Sequence, residues 1–261
     1  MAKAKTKVPR KAVVPAPATG KQVAVGSWRE RAAKSVQTGK AASALLPSQS
    51  GNFLSFRNGV LTLGGVKLPN PLDMVILAYG PERVYYARPY QADSQATPDC
   101  YSFDGNAPHE RAATPQHDHC ASCHQNEFGT AENGKGKACK EGARFIAIDA
   151  ASLESLERIA TATLVQGRLS VLNSKGFKSY VSVFEELGSP IWSTVSRLTV
   201  QPDSKSQYAT LFQSVTTDMA DDLLDALAAR IDEAEKLMSQ PYPEPVEAPP
   251  PKAKAPARRR F

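Results

Sequence analysis

The 261-residue chain carries 32 Lys and Arg against 26 Asp and Glu, a formal net charge of +6, and 41% of its residues are hydrophobic. Six cationic groups lie in residues 1–22 and five in residues 248–261, with no acid in either segment, so residues 23–247 carry −5. This excludes a uniformly basic, histone-like protein, and the apolar content excludes a mostly disordered chain.

No stretch approaches the roughly 18 apolar residues of a membrane span. The basic start has no apolar signal core behind it, so a cytoplasmic protein is expected. Structural disulfides are rare there. The four cysteines therefore need another explanation.

Residues 1–22, rich in Lys, Pro and Ala, form an expected disordered basic arm. Ser27-Trp28-Arg29-Glu30 has the pattern of a capping box and opens a helix through about Ala44. Phe53–Phe56 and Val60–Leu63 flank Arg57-Asn58-Gly59, a hairpin signal. Met74–Tyr79 predicts a buried strand, turned at Gly80-Pro81 and returning over Val84–Arg88. Pro89 to Gly142 is a long loop that holds every cysteine. A structureless loop of that length needs something inside it to replace a core.

Strand character resumes at Arg144–Ile148. Residues 153–160 are ambiguous between helix and turn. Leu164–Leu172 predicts a strand with Gly167 as a bulge. Ser174–Leu187 is an amphipathic helix with Phe177, Tyr180 and Phe184 in the core, ended by Gly188. Trp192–Val200 and Gln207–Val215 are strands joined by a turn at Pro202-Asp203-Ser204. Thr217 or Asp218 caps a last helix to about Met238, with Leu223, Leu227 and Ile231 at helical spacing. Residues 239–261 form a Pro-rich basic tail. The expected fold class is β-rich α+β, a small antiparallel barrel or curled sheet with flanking helices. Its domain spans 23–238 and contains a zinc-binding insertion at 98–142.

Cys100, Cys120, Cys123 and Cys139 are spaced C-x19-C-x2-C-x15-C. The central C-x2-C puts two thiolates on one knuckle, able to reach one tetrahedral ion at about 2.3 Å. The outer two close the site. One structural Zn²⁺ per chain is the expected cofactor. Cys120-Ala121-Ser122-Cys123-His124 also matches covalent haem attachment. That chemistry belongs to exported proteins and leaves Cys100 and Cys139 unused. His109, His117, His119 and His124 share the segment, so one of them can replace a cysteine; His119 and His124 are the leading candidates. A closed four-thiolate site has no open position for catalysis. No H-E-x-x-H, P-loop, G-x-S-x-G or carboxylate set appears either, so the protein is not expected to be an enzyme.

Pro98-Asp99-Cys100-Tyr101-Ser102-Phe103-Asp104-Gly105, the run Cys120 to Gly129, Gly134-Lys135-Gly136-Lys137-Ala138-Cys139-Lys140 and Lys175–Val181 together resemble a family of tailed-bacteriophage proteins. The resemblance runs from near Trp28 to near Ile231. It implies single-stranded DNA binding on an OB-like barrel with a zinc insertion, in the cytoplasm of an infected bacterium. The family usually has proline where this chain has His124, which makes the haem signature an accident of one substitution.

A single-strand binder needs cations along the backbone and aromatic faces for the bases. Lys135, Lys137, Lys140 and Arg144 cluster near the last cysteine. Arg57, Arg83 and Arg88 fall at turns or strand ends. Tyr85, Tyr86, Tyr101, Phe128 and Trp192 are candidate stacking residues; adjacent Tyr85 and Tyr86 point to opposite faces, and Tyr86 is taken as the exposed one. The last helix carries −5, leaving +2 for residues 23–217 once Glu244 and Glu247 are also set aside. Such an acidic element can compete with DNA and recruit replication partners. The alternative is a zinc-containing interaction or regulatory protein that docks a host or phage replication or transcription enzyme.

Overall fold

The computed structural model describes residues 52–56, 59–88, 97–204, 206–216 and 218–242. The N-terminal arm, the Ser27–Ala44 helix, Arg57 and the tail beyond Tyr242 lie outside them. Nine strands form one curled, mixed sheet: β1 Phe53–Ser55, β2 Thr62–Leu63, β3 Val66–Lys67, β4 Leu72–Tyr85, β5 Cys100–Ser102, β6 Lys140–Asp149, β7 Val165–Ser170, β8 Val195–Asp203 and β9 Gln207–Thr216. Their order is β3-β2-β1-β7-β6-β4-β8-β9, with β5 added to β4. Among the described residues four α-helices accompany them: α1 Leu156–Thr161, α2 Val171–Leu187, α3 Asp221–Ala228 and α4 Ile231–Met238. The β-rich α+β class is as expected. The sheet is not purely antiparallel, because β1 runs parallel to β7. Those two strands are far apart in sequence, so no hairpin dictates their direction.

The hairpin at Gly59 forms, with Leu54 opposite Leu63. A second one follows at once: Gly64 and Gly65, both at positive φ, turn β2 into β3. The expected turn at Gly80-Pro81 does not form. β4 runs through both residues, with Gly80 opposite Arg144 and Pro81 opposite Ala143. Its other edge pairs with β8 at Leu72–Met74 and with β5 at Arg83–Tyr85. Pro81 falls between those two pairings, where a missing donor is tolerated.

β4 and β6 are buried on both faces, which explains their unbroken apolar runs. On one face, Met74, Ile76, Phe145, Ala147, Leu198 and Phe212 meet Phe177, Val181 and Phe184 of α2. Tyr180 is half-buried there, its hydroxyl 2.7 Å from that of Ser196. Each large apolar side chain so buried contributes about 1.5–3 kcal/mol. On the other face, Val75, Leu77, Ile146 and Ile148 meet Ile159 of α1, Leu227 of α3 and Ala234 of α4. Gly188 ends α2 in the left-handed region, at φ 64°.

Gly167 is not a bulge. It stands in register between Phe145 and Leu54, and a β-carbon there would lie 2.1 Å from the Phe145 ring. Glycine is needed for that ring. Residues 150–161 resolve into a 3-10 turn, Ala150–Glu154, followed by α1. The single C-terminal helix is two. Arg230 separates them, buried, donating to the carbonyls of Ile159 and Ala162 at the end of α1. Trp192 sits in a 3-10 turn, Ile191–Ser193, and not at a strand start. Among the described residues no helix is long and apolar enough to cross a membrane.

Candidate functional site

The cysteine segment is anchored at both ends by strands. β5 places Cys100 opposite Tyr85, and β6 begins at Lys140, directly after Cys139. Between them the chain has little regular structure, and its turns are held by side chains. Asp104 Oδ1 accepts from the backbone N–H groups of Asn106 and Ala107 and from Ser102. Those backbone donors hold its carboxyl below the usual range. Cys120 N–H donates to the Asn106 carbonyl, and Cys139 N–H donates to that of Gln125. Asn126 Nδ2 donates to the Cys120 carbonyl at 3.0 Å, and its Oδ1 accepts from Lys137 Nζ at 3.0 Å. Asn126 thus ties the knuckle to the segment leading into Cys139.

These contacts bring all four cysteines to the wall of one small cavity of about 20 Å³, shared with Arg83, Gln116 and His117. That is room for a single water or ion. Cys120 and Cys123 are buried, Cys100 and Cys139 half-buried, and none forms a disulfide. Burial pushes the Cys139 thiol up to about 11, with neighbouring Cys120 adding to it; burial also raises Cys100. Thiolates in this cavity would need a compensating cation, and metal coordination would supply one. The donor set fits a soft or borderline metal. As placed, the side chains form no closed ligand group among the described residues; the convergence is that of a shared cavity. Of the histidines only His117 reaches its wall. His119 donates its backbone N–H to His117 Nδ1, and His124 Nδ1 lies 3.1 Å from Glu127 Oε2 at the surface.

The expected nucleic-acid contacts divide. Lys135 and Lys140 are exposed, and Phe128 is 83% exposed. Lys137 is half-buried, paired with Glu141 at 3.1 Å, its ammonium 5.3 Å from the Phe128 ring centre. Arg88 is exposed just past β4. The remaining candidates point inward. Arg144 is 3% exposed and Tyr101 2%, so neither faces solvent as expected. Tyr86 is half-buried against the Val84–Tyr101–Ala112 cluster, and Trp192 is half-buried against the α3–α4 side of the core.

Arg144 belongs to an internal charge cluster. Its Nε lies 3.5 Å from Glu82 Oε1, while Arg168 Nε donates to Glu82 Oε2 at 2.6 Å. Tyr242, the fourth residue of the expected tail segment 239–261, donates its hydroxyl to Glu82 Oε1 at 2.6 Å. Phe103 stacks on the Arg144 guanidinium at 4.1 Å. Burial lowers the Arg144 pKa and Glu82 opposes that, but a guanidinium stays charged. Burial and the Glu82 carboxylate both raise the Tyr242 phenol. Strand alternation was the available signal for Arg144: it shares a face with Ile146 and Ile148. For Tyr242 the Pro-rich composition around it hid the contact. No family model matches the chain, no curated protein matches it, and no solved structure matches it.

Proposed function

We propose that this chain is a single-stranded DNA-binding protein whose four cysteines, Cys100, Cys120, Cys123 and Cys139, hold one structural zinc ion in an insertion on an OB-like curled sheet. The observation that carries the metal half is the meeting of all four thiols, from β5, the knuckle and the start of β6, at one ion-sized cavity. The metal would fix a segment whose own apolar contacts are few. The nucleic-acid half rests on the resemblance and on what the insertion exposes, Lys135, Lys140 and the Phe128 ring, with Arg88 exposed outside the insertion. The setting is phage replication or recombination in an infected bacterium. No catalytic role is assigned.

Titration of the full chain with oligo-dT, duplex DNA and RNA tests the reading. Salt-sensitive binding that prefers the single strand is expected, with one zinc per chain by elemental analysis. Absence of binding at low salt sinks the DNA half, and absence of zinc sinks the metal half. One observation favours the second reading, a docking module for a replication or transcription enzyme. Residues 98–142 carry seven acidic against four cationic side chains, an unusual balance for a surface meant for phosphates. Under that reading Phe128 anchors a protein partner, and DNA affinity is lost entirely when the terminal basic segments are removed.

A further inference from the structure

Arg83 of β4 meets the cysteine segment near three of its four cysteines. In β4 it stands opposite Ser102, two residues past Cys100, and on its other side opposite Glu141, two residues past Cys139. Its Nη1 donates to the Cys120 carbonyl at 3.4 Å, and its Nη2 lies 3.4 Å from Glu141 Oε1. It also lines the cavity itself. A zinc ion with four thiolates carries two net negative charges, and a guanidinium at the wall offsets part of them. Lys137, bonded to Glu141 and Asn126, is not among the residues that line the cavity.

We propose that Arg83 is a positioning residue for the metal centre: it holds the knuckle in register with the outer two cysteines and compensates the charge of the filled site. This rests on the zinc reading above. Groups that orient and balance ligands in this way change metal affinity by roughly 10–100-fold when removed. Lysine keeps the charge but loses the fork that spans Cys120 and Glu141, so it should recover only part of the affinity.

The test is zinc competition against a chromogenic chelator on full-length wild type, Arg83→Gln and Arg83→Lys. Absorption of the cobalt-loaded chains is recorded alongside. Arg83→Gln is expected to bind zinc about 10–100-fold more weakly and to show an altered thiolate-to-cobalt band, with Arg83→Lys between it and wild type. Should Arg83→Gln not fold, Arg83→Lys decides alone: weaker than wild type supports the role, equal overturns it. A wild type that takes up one zinc and a folded Arg83→Gln that binds as tightly overturn this inference and leave the metal centre standing. A wild type that takes up none overturns both.

Discussion

The Tyr242 hydroxyl donates to Glu82 Oε1 at 2.6 Å and so ties the segment after α4 to the C-terminal end of β4. Glu82 is 4% exposed and faces two guanidinium groups, so the phenol is the third partner of one buried carboxylate. Tyr242→Phe keeps the ring contacts with Tyr101 and Phe103 and removes only that bond. A hydrogen bond to a charged group is worth about 1.5–3 kcal/mol, and urea denaturation should show a loss of that size. Glu82→Ala should cost more, about 3–5 kcal/mol, because it strands two arginines. Equal stability of Tyr242→Phe and wild type would remove the contact.

Gly167→Ala places a methyl group within 2.1–2.7 Å of three Phe145 ring atoms. Overpacking of this kind typically costs about 1–3 kcal/mol. The cost should fall in a Phe145→Leu background, since the clash is with the ring itself. A double-mutant cycle by thermal or urea melting measures the coupling; additive effects would place the strain elsewhere.

The approach of the four cysteines to one cavity was legible because their spacing is local: C-x2-C and two flanking cysteines fall within one segment of the chain. The long strands of the core were legible from apolar runs. What failed depended on pairing between distant segments. Gly80-Pro81 has turn chemistry, yet β6 pairs with β4 along both residues and overrides it. Nearness in sequence groups Arg144 with Lys135, Lys137 and Lys140, but alternation along β6 turns it to the interior with Ile146. Gly167 marks a close approach, and only the register with Phe145 identifies the ring that requires it. Gly64-Gly65 between Leu63 and Val66 was a visible hairpin signal that the first hairpin overshadowed.

If single strands bind across the insertion, Lys135→Gln and Lys140→Gln should each lower the salt dependence of binding. A lost phosphate contact on a single strand reduces the slope of log affinity against log salt by about 0.7. Neither substitution should change the melting temperature, since both side chains are exposed. Arg144→Gln should do the reverse, lowering stability through the Glu82 cluster. Unchanged slopes for both lysine variants would move the DNA path off the insertion.

Asp73 and Arg197 form a two-pronged pair across β4 and β8, at 2.7 and 2.8 Å. The Arg197 hydrogen bonds hold the Asp73 carboxyl below its ordinary 3.8. A group lowered on folding stabilises the fold above its unfolded pKa and loses that contribution as pH falls through the folded value. The difference in melting temperature between wild type and Asp73→Asn should therefore be constant at neutral pH and narrow below about pH 3.8. Both side chains are more than a third exposed, so solvent screening keeps the contribution of the pair small. A difference that persists at low pH would point to geometry and not charge.

Arg230 does between α3 and α4 what a cap does for a single helix. Its guanidinium donates to the Ile159 carbonyl and, at 3.0 Å, to that of Ala162, while Nε pairs with Glu233 at 2.8 Å. The Ile159 carbonyl accepts only the long Ala162 N–H bond of 3.3 Å from its own helix end, and a cation at the last carbonyls of α1 is favoured by the helix dipole. Arg230→Met preserves much of the packing and removes these donors. Each buried acceptor left unsatisfied costs about 1–3 kcal/mol. Hydrogen exchange should then speed up first in α1 and in α3–α4, before the β4–β6 centre of the sheet. Uniform acceleration across the sheet would mean that Arg230 supports the whole core and not the seam between these helices.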